Sequence, residues 1–399
     1  PDGPVVPVLS AGVLQGAGRI LNSGTTAWLS LGMSAVSTGS GVFSGVLADG
    51  AGTLGLVRDG VSGTLTLTGV NTYTGPTVLK GGAVLAVNSL ANGSLPSAIG
   101  ASSAAAGNLV FQGGTLQFTG SNANFVQFTQ TPPVGIDRLF TMAGNATIDS
   151  SGNFGNNALG APTPNNAALA FLNTAPVAFA GTGAYTLSLT GSSTGDNEIR
   201  LQLSDNPNGG TLSPLSVVKT GTGVWVLGAS ANTYSGTTTV SGGVLQAVDG
   251  QGLPATSNLF LNGGVFQTSG VFTRSALSGS NQVSFGSLGG GFAASGTSLV
   301  VNLTSGSLSL QNAGSLLFGS SVASGDVEWR SALELGNAGA RTVWVDDNPN
   351  HGFDYATITG AISGGTQLIK NGPGALALLG QNTYTGPTLL QQGALVLNT

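Results

Sequence analysis

The sequence predicts an all-β protein, a right-handed parallel β-helix (β-solenoid) with inserted loops, and three observations carry that prediction. A seven-residue motif returns three times. Short alternating apolar runs meet across glycine pairs, closely spaced from Gly242 to Gly263, and no stretch combines helical periodicity with helix caps.

The motif is Asn71-Thr72-Tyr73-Thr74-Gly75-Pro76-Thr77, with copies at Asn232-Thr233-Tyr234-Ser235-Gly236-Thr237-Thr238 and Asn382-Thr383-Tyr384-Thr385-Gly386-Pro387-Thr388. Each copy follows an alternating run (Thr64 to Thr68, Gly223 to Leu227, Ala375 to Leu379) and precedes another, which reads as strand, turn, strand. The expected structural residues are therefore Asn71, Tyr73, Gly75, Asn232, Tyr234, Gly236, Asn382, Tyr384 and Gly386. Tyrosine would pack the corner against a neighbouring coil, and Asn and Thr would satisfy turn backbone.

Glycine pairs at Gly81-Gly82, Gly113-Gly114, Gly242-Gly243 and Gly263-Gly264 mark further coils, with Gln392-Gly393 a degenerate fifth. The step from Gly242 to Gly263 matches one solenoid turn of about 20 residues. The longer step from Gly81 to Gly113 implies a loop inserted around Ala91 to Gly107. An echo links Asp205-Asn206-Pro207-Asn208-Gly209 with Asp347-Asn348-Pro349-Asn350-His351. Together the echoes divide the chain into an extended arm and first coils (1–42), a supra-repeat (43–213), a second (214–356), and a third repeat with uncapped coils (357–399). Stacked coils would pair every backbone donor and acceptor along the axis around a continuous core of Val, Leu, Ile and Phe.

Composition suits that core and narrows the function. Apolar residues make up 40% of 399 residues, whereas charged residues make up only 6%, so the surface is polar but nearly uncharged. Lys and Arg number ten and are scattered singly, which excludes the basic stripe that nucleic acid needs. Glycine or a polar residue interrupts every apolar run, so no segment is long enough for a membrane-spanning helix. Cysteine is absent, which removes disulfides and thiolate metal sites.

The Asn-Thr-Tyr-Thr/Ser-Gly motif behind a Gly-Thr-Leu-Thr-Leu-type strand resembles the autotransporter-associated β-strand repeat. The resemblance covers about residues 43 to 87, 214 to 248 and 357 to 399. It extends to the lead-ins Val218-Lys219-Thr220-Gly221-Thr222-Gly223 and Leu368-Ile369-Lys370-Asn371-Gly372-Pro373-Gly374. It implies a bacterial exported passenger, secreted or on the cell surface at the outer membrane. No run of ten-residue amphipathic strands with aromatic girdles, the mark of a translocator barrel, occurs in these residues.

Chemistry-bearing residues are sparse. Asp346, Asp347, His351 and Asp354 form the one crowded polar stretch, readable as a cation or acid/base site in a carbohydrate-active β-helix or as a solvated loop between coils, the reading favoured here. The related loop at Asp205 lacks the histidine and the extra carboxylates. One histidine in the chain removes His-ligated zinc and most Ser-His schemes. Trp225 and Trp344 alternate with valines and read as core or coil-stacking residues rather than a sugar platform.

The expectation is a non-enzymatic structural protein without cofactors, forming an extracellular rod. The strand pattern runs to Thr399 without a capping element, so the rod would stack head to tail with itself as a fibre or adjoin further segments of a longer passenger. An adhesin passenger that binds surface glycans or proteins through its inserted loops is the alternative. A polysaccharide-active enzyme is the third.

Overall fold

A computed structural model describes residues 8–11, 13–24, 27–31, 38–120, 134–152, 168–195, 197–276, 281–304, 307–311, 314–352 and 355–397. These residues form strands and a single 3-10 turn, Ala106–Asn108, with no α-helix among them. The chain divides into two compact units, Pro1–Leu215 and Ser216–Thr399. Each is a parallel β-helix.

In the first unit one stack contains Val8–Ala11, Ala27–Leu31, Leu54–Arg58, Thr77–Lys80, Leu109–Gln112, Thr141–Met142 and Ala178–Phe179. A second contains Gly41–Phe43, Thr64–Leu67, Val84–Val87, Thr115–Phe118, Ala146–Ser150 and Tyr185–Thr190. The register shows why these residues form strands. Leu65, Leu85, Leu116, Ile148 and Leu189 lie one above another and all are buried. Their neighbours Thr64, Val84, Thr115, Thr147 and Ser188 point outward, so a period of two sorts core from surface on every coil. Phe111, Phe140 and Phe171 continue the core as edge-to-face pairs with centroids 5.4 and 5.7 Å apart.

Coil length varies about the short turn of the sequence pattern: the insertion expected around Ala91 to Gly107 lengthens the step from Leu85 to Leu116, and the coils beyond it are lengthened too, which the sequence reading does not anticipate. Leu65 stacks on Leu85 at that short spacing, but the steps from Leu85 to Leu116 and from Leu116 to Ile148 are half as long again or more. The step from Ile148 to Leu189 is twice as long. A solenoid fixes the strand cross-section but leaves loops free to lengthen, because only strand backbone must pair along the axis. A third stack, Val134–Ile136, Leu169–Phe171 and Asn197–Ile199, begins where the coils lengthen.

The second unit starts with two stacks, Leu215–Lys219, Thr238–Val240, Leu259–Leu261 and Val283–Phe285 beside Val224–Leu227, Val244–Ala247 and Val265–Phe272. Here the short coil holds, since Val224, Val244 and Val265 stack directly on one another in successive turns. The long strand Gly289–Val301 then forks the sheet. Its first residues pair with Ser315–Phe318 and its last with Val327–Trp329. One branch continues through Arg341–Val345, Leu368–Asn371 and Thr388–Leu390, the other through Tyr355–Ile358, Ala375–Leu378 and Ala394–Leu397. A fork widens the cross-section, and large side chains fill it: Phe266, Phe272, Phe292 and Trp329 are fully buried, with Phe272 and Phe292 4.9 Å apart.

Candidate functional site

The three motif copies build the same corner. Asn71 is fully buried and works in two directions: its Oδ1 accepts the Leu47 N–H (2.8 Å) from the preceding coil, and its Nδ2 donates to the Ala98 carbonyl (2.7 Å) of the following loop. The Leu47 carbonyl in turn accepts the N–H groups of Thr72 and Tyr73. The third copy repeats this, with Asn382 Oδ1 accepting the Ile362 N–H (3.0 Å) and the Ile362 carbonyl accepting from Thr383 and Tyr384. In the second copy Asn232 Nδ2 donates to Gly252 O (2.8 Å). Asparagine suits the position because its amide offers an acceptor and donors on one short side chain.

Tyrosine closes the corner from inside. The Tyr73, Tyr234 and Tyr384 hydroxyls meet Thr77, Thr238 and Thr388 Oγ1 at 2.6, 2.8 and 2.7 Å. Tyr73 and Tyr234 are fully buried, and burial raises both phenols above their ordinary range. Gly75 is needed because a Cβ there would lie 2.3 Å from the Leu54 carbonyl oxygen, and one at Gly386 would lie 2.0 Å from that of Thr366. Gly236 lends its carbonyl to Ser257 Oγ at 2.6 Å.

Each copy also carries a buried cation that sequence reasoning left among scattered charges. Lys219 is fully buried, and its Nζ donates to the carbonyls of Thr220 (2.6 Å), Gly221 (3.0 Å) and Gly242 (3.0 Å). Lys370 donates to Asn371 (2.8 Å), Gly372 (2.8 Å) and Gln392 (3.0 Å). At the matching place Arg58 donates to the carbonyls of Val84, Asp59, Gly39 and Gly63. The signal was legible as Arg-Asp-Gly, Lys-Thr-Gly and Lys-Asn-Gly, one such triplet standing before the strand that leads into each Asn.

Burial pulls Lys219 down to about 7 and Lys370 to about 8. Between those values and the unfolded lysine pKa near 10.4, the unfolded chain holds more protons, so stability climbs as pH rises through that window. Tyr73 and Tyr234 act oppositely: above about pH 10 only the unfolded chain ionises them, and stability falls. Urea midpoints are expected to rise from pH 7 to about 9.5 and drop beyond about 10.5. A flat profile between pH 7 and 9.5 would contradict the lysine assignment.

Two further arginines fasten inserted loops. Arg138 donates to Ala91 O (2.9 Å), Gly100 O (3.1 Å) and Ser102 Oγ (3.0 Å), pinning the insertion expected around Ala91 to Gly107. Arg274 binds Asp249 Oδ1 through Nε (2.9 Å) and Nη2 (2.5 Å) and also donates to the Ser257 and Pro254 carbonyls.

The acidic stretch is laid out along a turn. Asn348 Oδ1 accepts the Asn350 N–H (3.1 Å) and its Nδ2 donates to Ala323 O (2.7 Å), while Asn206 Oδ1 accepts the Asn208 N–H (3.0 Å) in the echoing loop. Asp346 is half-buried, and its carboxyl is held above the usual range, first by burial and further by the Asp347 charge, against a backbone hydrogen bond from Asp347. Asp347 is exposed and His351 half-buried; Asp354 lies outside the described residues. No group of three or more His, Cys, Asp or Glu able to hold a metal occurs among the described residues. Trp225 and Trp329 are core residues, whereas Trp344 is half-buried with its indole over Gly372.

The Passenger-associated-transport-repeat family matches residues 62–87, 217–247 and 368–397, the segments that carry the corner strands. The chain is also 34% identical over 402 residues to the protein named Adhesin BmaC autotransporter of Brucella suis biovar 1 (strain 1330). The chain is an autotransporter passenger repeat protein. That alignment covers 98% of this chain and 10% of the relative, so the chain spans about a tenth of the relative's length. As a passenger repeat protein it is secreted or displayed at the cell surface, in association with the outer membrane. No solved structure matches it significantly.

Proposed function

We propose that this passenger segment is a non-enzymatic adhesive scaffold: stacked coils hold outer faces and fastened loops in fixed register for a ligand on another surface. The observation that supports it most is the 34% identity, over nearly the whole chain, to a protein named an adhesin. The geometry adds two supports. The insertion around Ala91 to Gly107 is pinned by Arg138, which suits a loop that presents a surface. The described acidic residues, Asp346 and Asp347, are adjacent along a turn rather than opposed across a cleft, unlike a glycosidase pair.

Beads coated with the purified chain are expected to be retained on animal-cell monolayers well above albumin-coated beads, and soluble chain should compete. Retention no better than albumin would sink the adhesive reading. Electron microscopy of the same preparation across a dilution series tests self-assembly: fibres that persist on dilution would make the chain a structural polymer instead.

A further inference from the structure

A recess of about 140 Å³ opens in the second unit, along the ends of Val224–Leu227 and Val244–Ala247 and against Val265–Phe272 and Gly289–Val301. Its origin is a slip in pairing. The two longer strands run in register as far as Thr268 with Ala294, then resume at Gly270 with Leu299. Ser269 therefore faces the whole stretch from Ser295 to Ser298, and the surplus backbone bows away from the coil. Gly270 and Gly296 both take φ of +76°, with open space where a Cβ would stand, so each is there for backbone conformation. Bulges of this kind commonly re-aim side chains at functional sites.

At the slip, hydrogen-bonding groups stand without partners among the described residues. Thr268 lines the recess at only 3% exposure, and its hydroxyl bonds to no described residue. Gln246 is fixed in orientation, because its Oε1 accepts from Gln267 Nε2 (3.0 Å) while Gln267 Oε1 accepts from Ser320 Oγ (2.9 Å). That relay commits the Gln246 carbonyl and leaves its NH2 as a donor at the recess wall. Ser230, Ser269, Ser295 and Gln251 complete a rim of hydroxyls and amide. The floor is Leu227, Ala229 and Ala247. None of the lining residues is charged; the nearby Asp249 is taken by Arg274.

We propose that this recess binds one neutral, hydroxyl-rich sugar unit of a surface glycan. The proposal rests on the adhesive reading above and names its ligand class. A sugar ring matches both chemistries: its hydroxyls donate and accept along the rim, and its C–H face covers the apolar floor. An ion finds no counter-charge here. A purely apolar ligand would strip water from the Thr268 hydroxyl and Gln246 amide without replacing its hydrogen bonds. The volume admits a single ring.

Saturation-transfer NMR on the full chain tests this with free glucose, galactose, mannose, N-acetylglucosamine and N-acetylgalactosamine, and with N-acetylneuraminic acid as an acidic comparison. At least one neutral sugar should bind with a dissociation constant on the order of 1 mM, changing less than about twofold from about 50 to 500 mM NaCl. Ser295→Trp, which fills the recess from its rim, should weaken binding by more than about tenfold, and Thr268→Val by about fivefold with the unfolding midpoint unchanged. The proposal is overturned if no neutral sugar binds, if Ser295→Trp binds as the parent does, or if only the acidic sugar binds. Beads that adhere equally well with Ser295→Trp, alongside absent sugar binding, would remove the recess and leave the adhesive reading standing. Beads that fail to adhere at all would remove that reading regardless of the sugar result.

Discussion

Asn71→Ala is expected to destabilise its coils by about 2–5 kcal/mol, whereas Asn382→Ala should cost less than about 1 kcal/mol, although the two residues occupy the same place in the same motif. The difference follows from what each truncation strands. At Asn71 two buried backbone groups lose their partners at once, the Leu47 N–H and the Ala98 carbonyl. Each such orphan costs about 1–3 kcal/mol when water cannot reach it. In this 399-residue chain Asn382 is exposed and, among the described residues, accepts from Ile362 alone, so water can take its place. Because solenoid stability is a sum over neighbouring coils, amide exchange at Leu47 is the right measurement. Protection there should fall by about two orders of magnitude or more in Asn71→Ala, with the Ile362 amide changing less than about tenfold in Asn382→Ala. Equal losses would mean that the corner is held by chain connectivity rather than by the asparagine bridge.

The corner was legible in the sequence because it is local and repeated: Asn, Tyr and Gly recur at fixed offsets, and only a turn between strands needs all three. The parallel stacking was legible for a related reason, since alternating runs without intervening helices leave few other ways to bury Leu65, Leu85 and Leu116. What stayed hidden depends on contacts distant in sequence. Lys219 and Lys370 stand in a recurring triplet, but their burial was not legible, because the sequence does not reveal that the next coil brings a third carbonyl, from Gly242 or Gln392, within hydrogen-bond reach. Arg138 reaches back across a whole coil to Ala91, a relation that no window around Arg138 contains. The lengthened coils from Leu116 to Leu189 escaped similarly, as insertions dilute the short period without disturbing the pairing that defines a coil. The recess at Thr268 arises from a register slip, and a slip has no signature beyond two glycines in a chain rich in them.

Lys219→Met should lower the stability of the second unit by about 3 kcal/mol, the largest effect expected from a substitution that keeps the side chain's length and apolar stem. Methionine fills the same path but leaves the Thr220, Gly221 and Gly242 carbonyls without a donor in a site that water does not reach. Arginine looks like an easy replacement, since Arg58 does the equivalent work in the first unit. The turns differ in length, however. The turn from Arg58 to the strand Thr64–Leu67 is one residue longer than those from Lys219 to Val224–Leu227 and from Lys370 to Ala375–Leu378. A guanidinium is broader than an ammonium and presents its donors in a fixed plane, so it needs the wider ring of carbonyls that the longer turn supplies. Lys219→Arg alone should therefore cost about 1–3 kcal/mol, and inserting one glycine between Thr222 and Gly223 in that variant should restore at least half of the loss. The check is amide exchange at Val244, which donates to the Gly223 carbonyl beside the cage. If the inserted glycine destabilises Lys219→Arg further, turn length and cation identity are unrelated, and the pairing of arginine with the longer turn in the first unit is incidental.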